Sequence, residues 1–140
     1  MNVDNKVMVF GVFDQLHPGH HYFLNEASRH GKLTVVVARD SSVRSLKKKD
    51  PVQSERERLQ NIGQLPYVFE AILGDKELGT YEIVKARNPQ LICVGYDQRG
   101  LEESLRGKMS CGTIPHVSIV HLAPHHPEKY RSSIWQKGAE

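Results

Sequence analysis

Two histidines three residues apart, His17 and His20, flank a Pro18-Gly19 turn directly after the apolar run from Lys6 to Phe13. Histidine ring nitrogens donate, accept or bind metal near neutral pH, so the spacing asks which of these the pair does. Pro18 disfavours helical geometry at His17 and places it in the loop at the end of a strand. His20 falls in the first turn of a helix, where free amides and the positive end of the dipole favour an anion. Gly19 lets a ligand approach the backbone closely and tolerates unusual dihedrals. His20 shares the face of Phe23 and Leu24, whereas His21 is rotated about 100° from it and points outward. His17 and His20, without His21, therefore form a candidate phosphate clamp of imidazole and helix-amide donors. Neither G-x-x-x-x-G-K-[ST] nor G-x-G-x-x-G is present, so the common phosphate cradles do not apply. A zinc site drawing His17, His20 and His21 together with His125 and His126 is the competing chemistry. It lacks paired cysteines or H-E-x-x-H spacing.

The elements that must position these residues alternate between strand and helix. Lys6 to Phe13 is short, apolar and β-prone, the pattern of a strand buried on both faces. A helix follows from about Gly19 to His30, with Phe23, Leu24 and Ala27 inward and Gly31 as its stop. Leu33 to Ala38 is a second buried strand, completing a β-α-β unit. Ser41 to Lys47 reads as a short helix leading into Lys47-Lys48-Lys49. Ser54 with Glu57 has the spacing of a capping box, opening a helix with Leu59, Ile62 and Leu65 on one face. Further strands are expected at 71–73, 91–94 and 117–122, with helices at 81–87, 101–108 and 132–137. The result is an α/β fold, a doubly wound five-stranded parallel sheet covered on both faces. Ligands bind such sheets beyond the carboxyl ends of the strands, near the point where strand order reverses. Segments 14–20, 39–49 and 95–98 each follow a strand, so all three should converge there.

At 140 residues, the chain is expected to form one domain from 1 to 140. A net charge of +3 is too small to make nucleic acid the default partner, but it suits a small anion. No apolar run reaches the roughly 18 residues of a membrane span, and no signal peptide opens the chain. Cys93 and Cys111 lie far apart without a C-x-x-C pair, which fits a reduced, cytoplasmic protein.

The run Gly11-Val12-Phe13-Asp14-x-x-His17-Pro18-Gly19-His20 resembles the signature of the cytidylyltransferase-like nucleotidyltransferases. The similarity covers nearly the whole chain. Ala38-Arg39-Asp40-Ser41-Ser42-Val43 through Lys47, then Pro51, Glu55 and Arg58, resembles the segment after that family's second strand. Gly95-Tyr96-Asp97-Gln98 and Tyr130-Arg131-Ser132-Ser133-Ile134 resemble its later nucleotide-site elements. The combination is closest to the archaeal-type FAD synthases, which are FMN adenylyltransferases. Glycerol-3-phosphate cytidylyltransferases are more distant. Two departures stand out: Val12 replaces the usual threonine, and Asp50 stands where relatives often carry a basic residue.

The resemblance implies a Rossmann-like nucleotidyltransferase in which a phosphorylated acceptor attacks the α-phosphate of ATP or CTP and pyrophosphate leaves. His17 and His20 would donate to phosphate oxygens in the transition state, and Lys47, helped by Lys49, would neutralise the triphosphate. Gly11, Val12, Phe13, Asp14, Gly19 and Gly95 would line the nucleotide site. Arg58, Asp97, Ser132 and Ser133 would also contact the nucleotide. The plainer alternatives are an exposed Arg58 paired with Glu55 or Ser54, and Asp97 or the serines serving only as helix caps. Mg²⁺ would arrive on the triphosphate with few protein ligands, and homodimers are common in such families. The alternative within the family is a cytidylyltransferase acting on glycerol 3-phosphate or a similar small acceptor. Outside it stands a nucleotide sensor without turnover.

Overall fold

The computed structural model describes residues 5–123. Near-continuous valine, isoleucine and leucine runs give the strands two apolar faces, and the sheet is accordingly interior. Its strands are β1 (Lys6–Gly11), β2 (Lys32–Val37), β3 (Glu70–Leu73), β4 (Leu91–Val94) and β5 (Ser118–His121). All pairings are parallel, in the order β3-β2-β1-β4-β5. Strand order thus reverses between β1 and β4.

Five helices connect the strands: α1 (Pro18–Ser28), α2 (Asp40–Lys47), α3 (Glu55–Gly63), α4 (Glu82–Arg87) and α5 (Arg99–Ser110). Alternation within the strands divides the core. Val7, Val9, Val35 and Val37 pack with Leu24 and Ala27 of α1 and Ile62 of α3. Met8, Val36, Ile92 and Val94 pack on the other side with Val84 of α4 and Leu105 of α5. The sheet is therefore doubly wound, and the expected five-stranded parallel α/β architecture is the one observed.

Boundaries shift where backbone geometry outweighs apolar content. The first strand stops at Gly11 instead of Phe13, because Phe13 adopts φ 55° and Gln15 φ 58°. Left-handed backbone at two non-glycine residues costs energy but turns the chain sharply out of the sheet. α1 begins at Pro18, with His17 as N-cap, and ends two residues before His30. α2 starts at Asp40 and α5 at Arg99, each earlier than its first apolar residue. The Ser54–Glu57 capping box forms as its spacing predicts, although Leu65 lies beyond the last residue of α3.

Candidate active site

The carboxyl ends of β1 and β4 open onto the crevice where strand order reverses. His17 caps α1 there. Its Nδ1 accepts the Gly19 amide at 3.1 Å, while His20 Nδ1 accepts the His17 amide at 3.2 Å. The two rings close a reciprocal capping box and stack, with centroids 3.8 Å apart and 23° between planes. Phe13 meets His20 edge-on, at 5.6 Å and 71°. A ring nitrogen that accepts an amide carries no proton, so the hydrogen of each neutral imidazole is assigned to Nε2. Burial, and secondarily the charge of His21, lower the His17 pKa from its ordinary 6.5. Both rings are almost fully buried. The pair therefore presents two Nε2–H donors held in one tautomer.

Two features differ from expectation. The Gly19 amide, expected to meet an anion, is engaged by His17, and Pro18 has no N–H to offer. The donors at this helix end are thus imidazoles more than bare amides. Gly19 also has no left-handed backbone; its constraint is steric, since a Cβ there would lie 2.9 Å from His17 Cε1. Gly11 is constrained likewise, with a Cβ falling 2.7 Å from the Phe13 ring. His21 is exposed and pairs through Nδ1 with the Tyr67 hydroxyl at 2.7 Å.

Two cavities meet at this edge. The smaller, of about 80 Å³, is lined by His17, Gly19, His20 and Phe13 on one side and by Gly95, Tyr96 and Asp97 on the other. The larger, of about 660 Å³, lies over the ends of β2 and β3, with Val12, Arg39, Ser42, Lys47, Leu78 and Tyr81 in its walls. Phe10, Gly11, Asp97 and Gln98 border both. Lys47, in the last turn of α2, faces the second cavity. The three segments predicted to converge after β1, β2 and β4 do so.

Arg58 and Asp14 do not sit where nucleotide ligands would. Arg58 is fully buried, and its guanidinium donates to the carbonyls of Gln53 (3.0 Å), Val12 (2.9 Å) and Ala38 (2.7 Å) and to Asp40 Oδ1 (2.7 Å). Neither the expected phosphate contact nor the exposed Glu55 pair is formed. Arg58 instead ties the end of β1 to the start of α2. The Asp14 carboxylate accepts the amides of Val52 (2.7 Å) and Gln53 (2.8 Å), fixing the loop before α3. The acidic Asp50 pairs with Arg44 at 3.1 Å. Ser132 and Ser133, with His125 and His126, lie outside the described residues.

Sequence reasoning gave no role to Gln98, which joins the two sides of the crevice. Its Oε1 accepts the Gly95 amide at 3.0 Å and its Nε2 donates to the Phe10 carbonyl at 2.8 Å. Arg39 is also given no role by sequence, although it is the first polar residue after β2, at the carboxyl edge where such sheets bind ligands, and it lines the larger cavity.

The Cytidylyltransferase-like family model matches residues 8–134. The chain belongs to the cytidylyltransferase-like family. As such it is a nucleotidyltransferase. The FAD synthase of Methanosarcina barkeri is 40% identical over 118 residues, covering 84% of this chain and 82% of that protein. The FAD synthase of Methanobrevibacter smithii is 46% identical over 98 residues, and the match spans 67% of this chain and 63% of that relative's length. A solved structure, described as a lipopolysaccharide core biosynthesis protein from Thermoplasma volcanium GSS1, superposes with a TM-score of 0.77. It is 39% identical, covering 86% of this chain and 98% of its own. No helix among the described residues is long and apolar enough to cross a membrane.

Proposed function

We propose that the protein transfers AMP from ATP to the phosphate of FMN, forming FAD and releasing pyrophosphate. The observation that carries this reading is the pair of cavities joined beside the stacked histidines. One compartment beside His17 and His20 suits the reacting phosphates. The other, of about 660 Å³, is in the size range of small-molecule sites and has apolar walls for a heterocycle. The FAD synthase relatives favour FMN as the occupant of the second and ATP as the donor.

An FMN phosphate oxygen attacks the α-phosphorus of ATP. A new phosphoanhydride bond forms as the bond to the β-phosphate breaks, and pyrophosphate leaves. The nucleophile is already anionic near neutral pH, so positioning and charge stabilisation are the work required. His17 and His20 donate from Nε2 to oxygens on the transferring phosphorus. Their tautomers are fixed before substrate arrives, so no reorganisation is needed at the moment of reaction. Lys47 offsets the triphosphate charge from the α2 side. Mg²⁺ bound with the triphosphate would supply further charge neutralisation. Asp97, which borders both cavities, is the residue that would hold that ion, consistent with the few protein ligands Mg²⁺ takes at phosphate sites.

A pyrophosphate-release assay crossing ATP and CTP with FMN, glycerol 3-phosphate and phosphocholine tests the assignment. Release is expected with ATP and FMN. Turnover confined to CTP with a polyol phosphate would overturn the FMN reading and leave the family membership untouched.

A further inference from the structure

We infer that Arg39 recognises the flavin ring of the acceptor, donating from its two terminal nitrogens to a ring nitrogen and the pyrimidine carbonyl beside it. This inference rests on the FMN assignment. Arg39 is the N-cap residue of α2 and lines the larger cavity. Its Nε donates to the Gly74 carbonyl at 2.7 Å, just past the end of β3. No described residue takes a hydrogen bond from its terminal nitrogens. A guanidinium is planar, so anchoring Nε sets the direction of the remaining fork.

The strand order fixes which part of the acceptor that fork can reach. Neighbouring strands lie about 4.8 Å apart, so the end of β3 is displaced roughly 9–10 Å from the end of β1, where the histidine turn begins. The reacting phosphates must meet at the wall common to both cavities, formed by Phe10, Gly11, Asp97 and Gln98. A phosphorylated acceptor seated there directs its chain into the larger cavity and its ring toward β2 and β3. Leu78, Tyr81 and Ile83 line that side with apolar surface suited to a planar ring. Arg39 is the cation held among them by its bond to Gly74. Isoalloxazine offers two matching acceptor pairs, N1 with the C2 carbonyl and N5 with the C4 carbonyl. Each spaces its lone pairs much as a carboxylate does, the geometry a guanidinium fork prefers.

Steady-state kinetics of Arg39→Met and Arg39→Lys with ATP and FMN test this. Losing hydrogen bonds from a charged donor should raise KM for FMN about tenfold or more in both variants, since lysine keeps the charge without the fork. KM for ATP and kcat at saturation should stay within about twofold of the parent. In the unsubstituted protein, either 1-deaza-FMN or 5-deaza-FMN should show a similar KM increase, which Arg39→Met does not enlarge. An unchanged KM for FMN in the variants, equal increases for FMN and ATP, or both analogues behaving as FMN does would overturn the inference. If Arg39→Met does not fold, the lysine variant and the analogue comparison still decide. Failure of the unsubstituted protein to use FMN at all would be the distinct signature of a wrong acceptor assignment.

Discussion

The rings of His17 and His20 cap the same helix end for one another, each accepting a backbone amide through Nδ1 while stacked 3.8 Å apart. One arrangement thereby starts α1, fixes two tautomers and aims two donors. Helix formation and site formation are the same event.

Acid should therefore act on both stability and rate. Burial keeps the His17 pKa below 6.5 in the folded protein, whereas the unfolded chain takes up a proton near 6.5. The contribution of His17 to stability is complete above 6.5 and declines as pH falls toward the folded value. The acid limb of the rate should likewise lie below 6.5. His17→Asn retains a capping side chain but does not titrate. Denaturant midpoints against pH should fall less steeply below 6.5 for that variant; identical slopes would show that His17 is not the titrating group.

Removing either donor should cost rate more than affinity. His17→Asn and His20→Ala are each expected to lower kcat about 10²–10³-fold, the effect of deleting one oxyanion donor. Nucleotide binding by equilibrium titration should change little. His21→Ala, whose ring faces Tyr67 and solvent, should leave kcat near that of the parent. Parallel losses of rate and binding would mean that the histidines hold the ground state.

Gly19→Ala probes the same site without removing a polar atom. The new methyl would meet the His17 ring at 2.9 Å and push it from its place above His20. A kcat loss of about tenfold or more is expected from such a displacement, with a far-UV spectrum matching the parent. Full activity would show that the His17 ring position does not matter.

Arg58→Met should unfold rather than disarm the protein. It would leave Asp40, at the edge of the core, without its partner and the carbonyls of Val12 and Ala38 without a donor. Breaking one side of a fully buried pair costs about 3–5 kcal/mol, an upper bound here because Asp40 is partly exposed, and the loss is visible as a drop in the urea midpoint. A midpoint near that of the parent, with poor nucleotide binding, would return Arg58 to the ligand role its position in the chain first implied.

Local patterns were readable because their causes are local. The apolar runs became strands, and the Ser54–Glu57 spacing became a capping box, since each depends on residues within one turn or one strand. Pro18 and Gly19 announced a turn and a helix start for the same reason. Arg58 was not readable in this way. Its partners Val12, Ala38 and Asp40 lie 46, 20 and 18 positions away, so only the assembled sheet shows that it is a strut. Asp14 was misjudged similarly, because its carboxylate is engaged by amides 38 and 39 residues further on. The Nδ1 bonds of the histidine pair were within reach of sequence reasoning. Histidine is simply an uncommon cap, and the usual preferences for serine, threonine, asparagine and aspartate conceal it.

The β1–β4 ladder registers Val7 with Leu91 and Met8 with Ile92, and at the strand ends bordering the site the amide of Gln98 bridges Gly95 and Phe10. Beyond the ladder the catalytic edge is therefore closed by a side-chain clasp laid across a sheet whose apolar faces are common to both strands. That clasp helps hold the histidine turn after β1 and Asp97 after β4 at one spacing. Heat or denaturant should open this clasp before the shared core gives way, so the catalytic gap would widen while the fold persists.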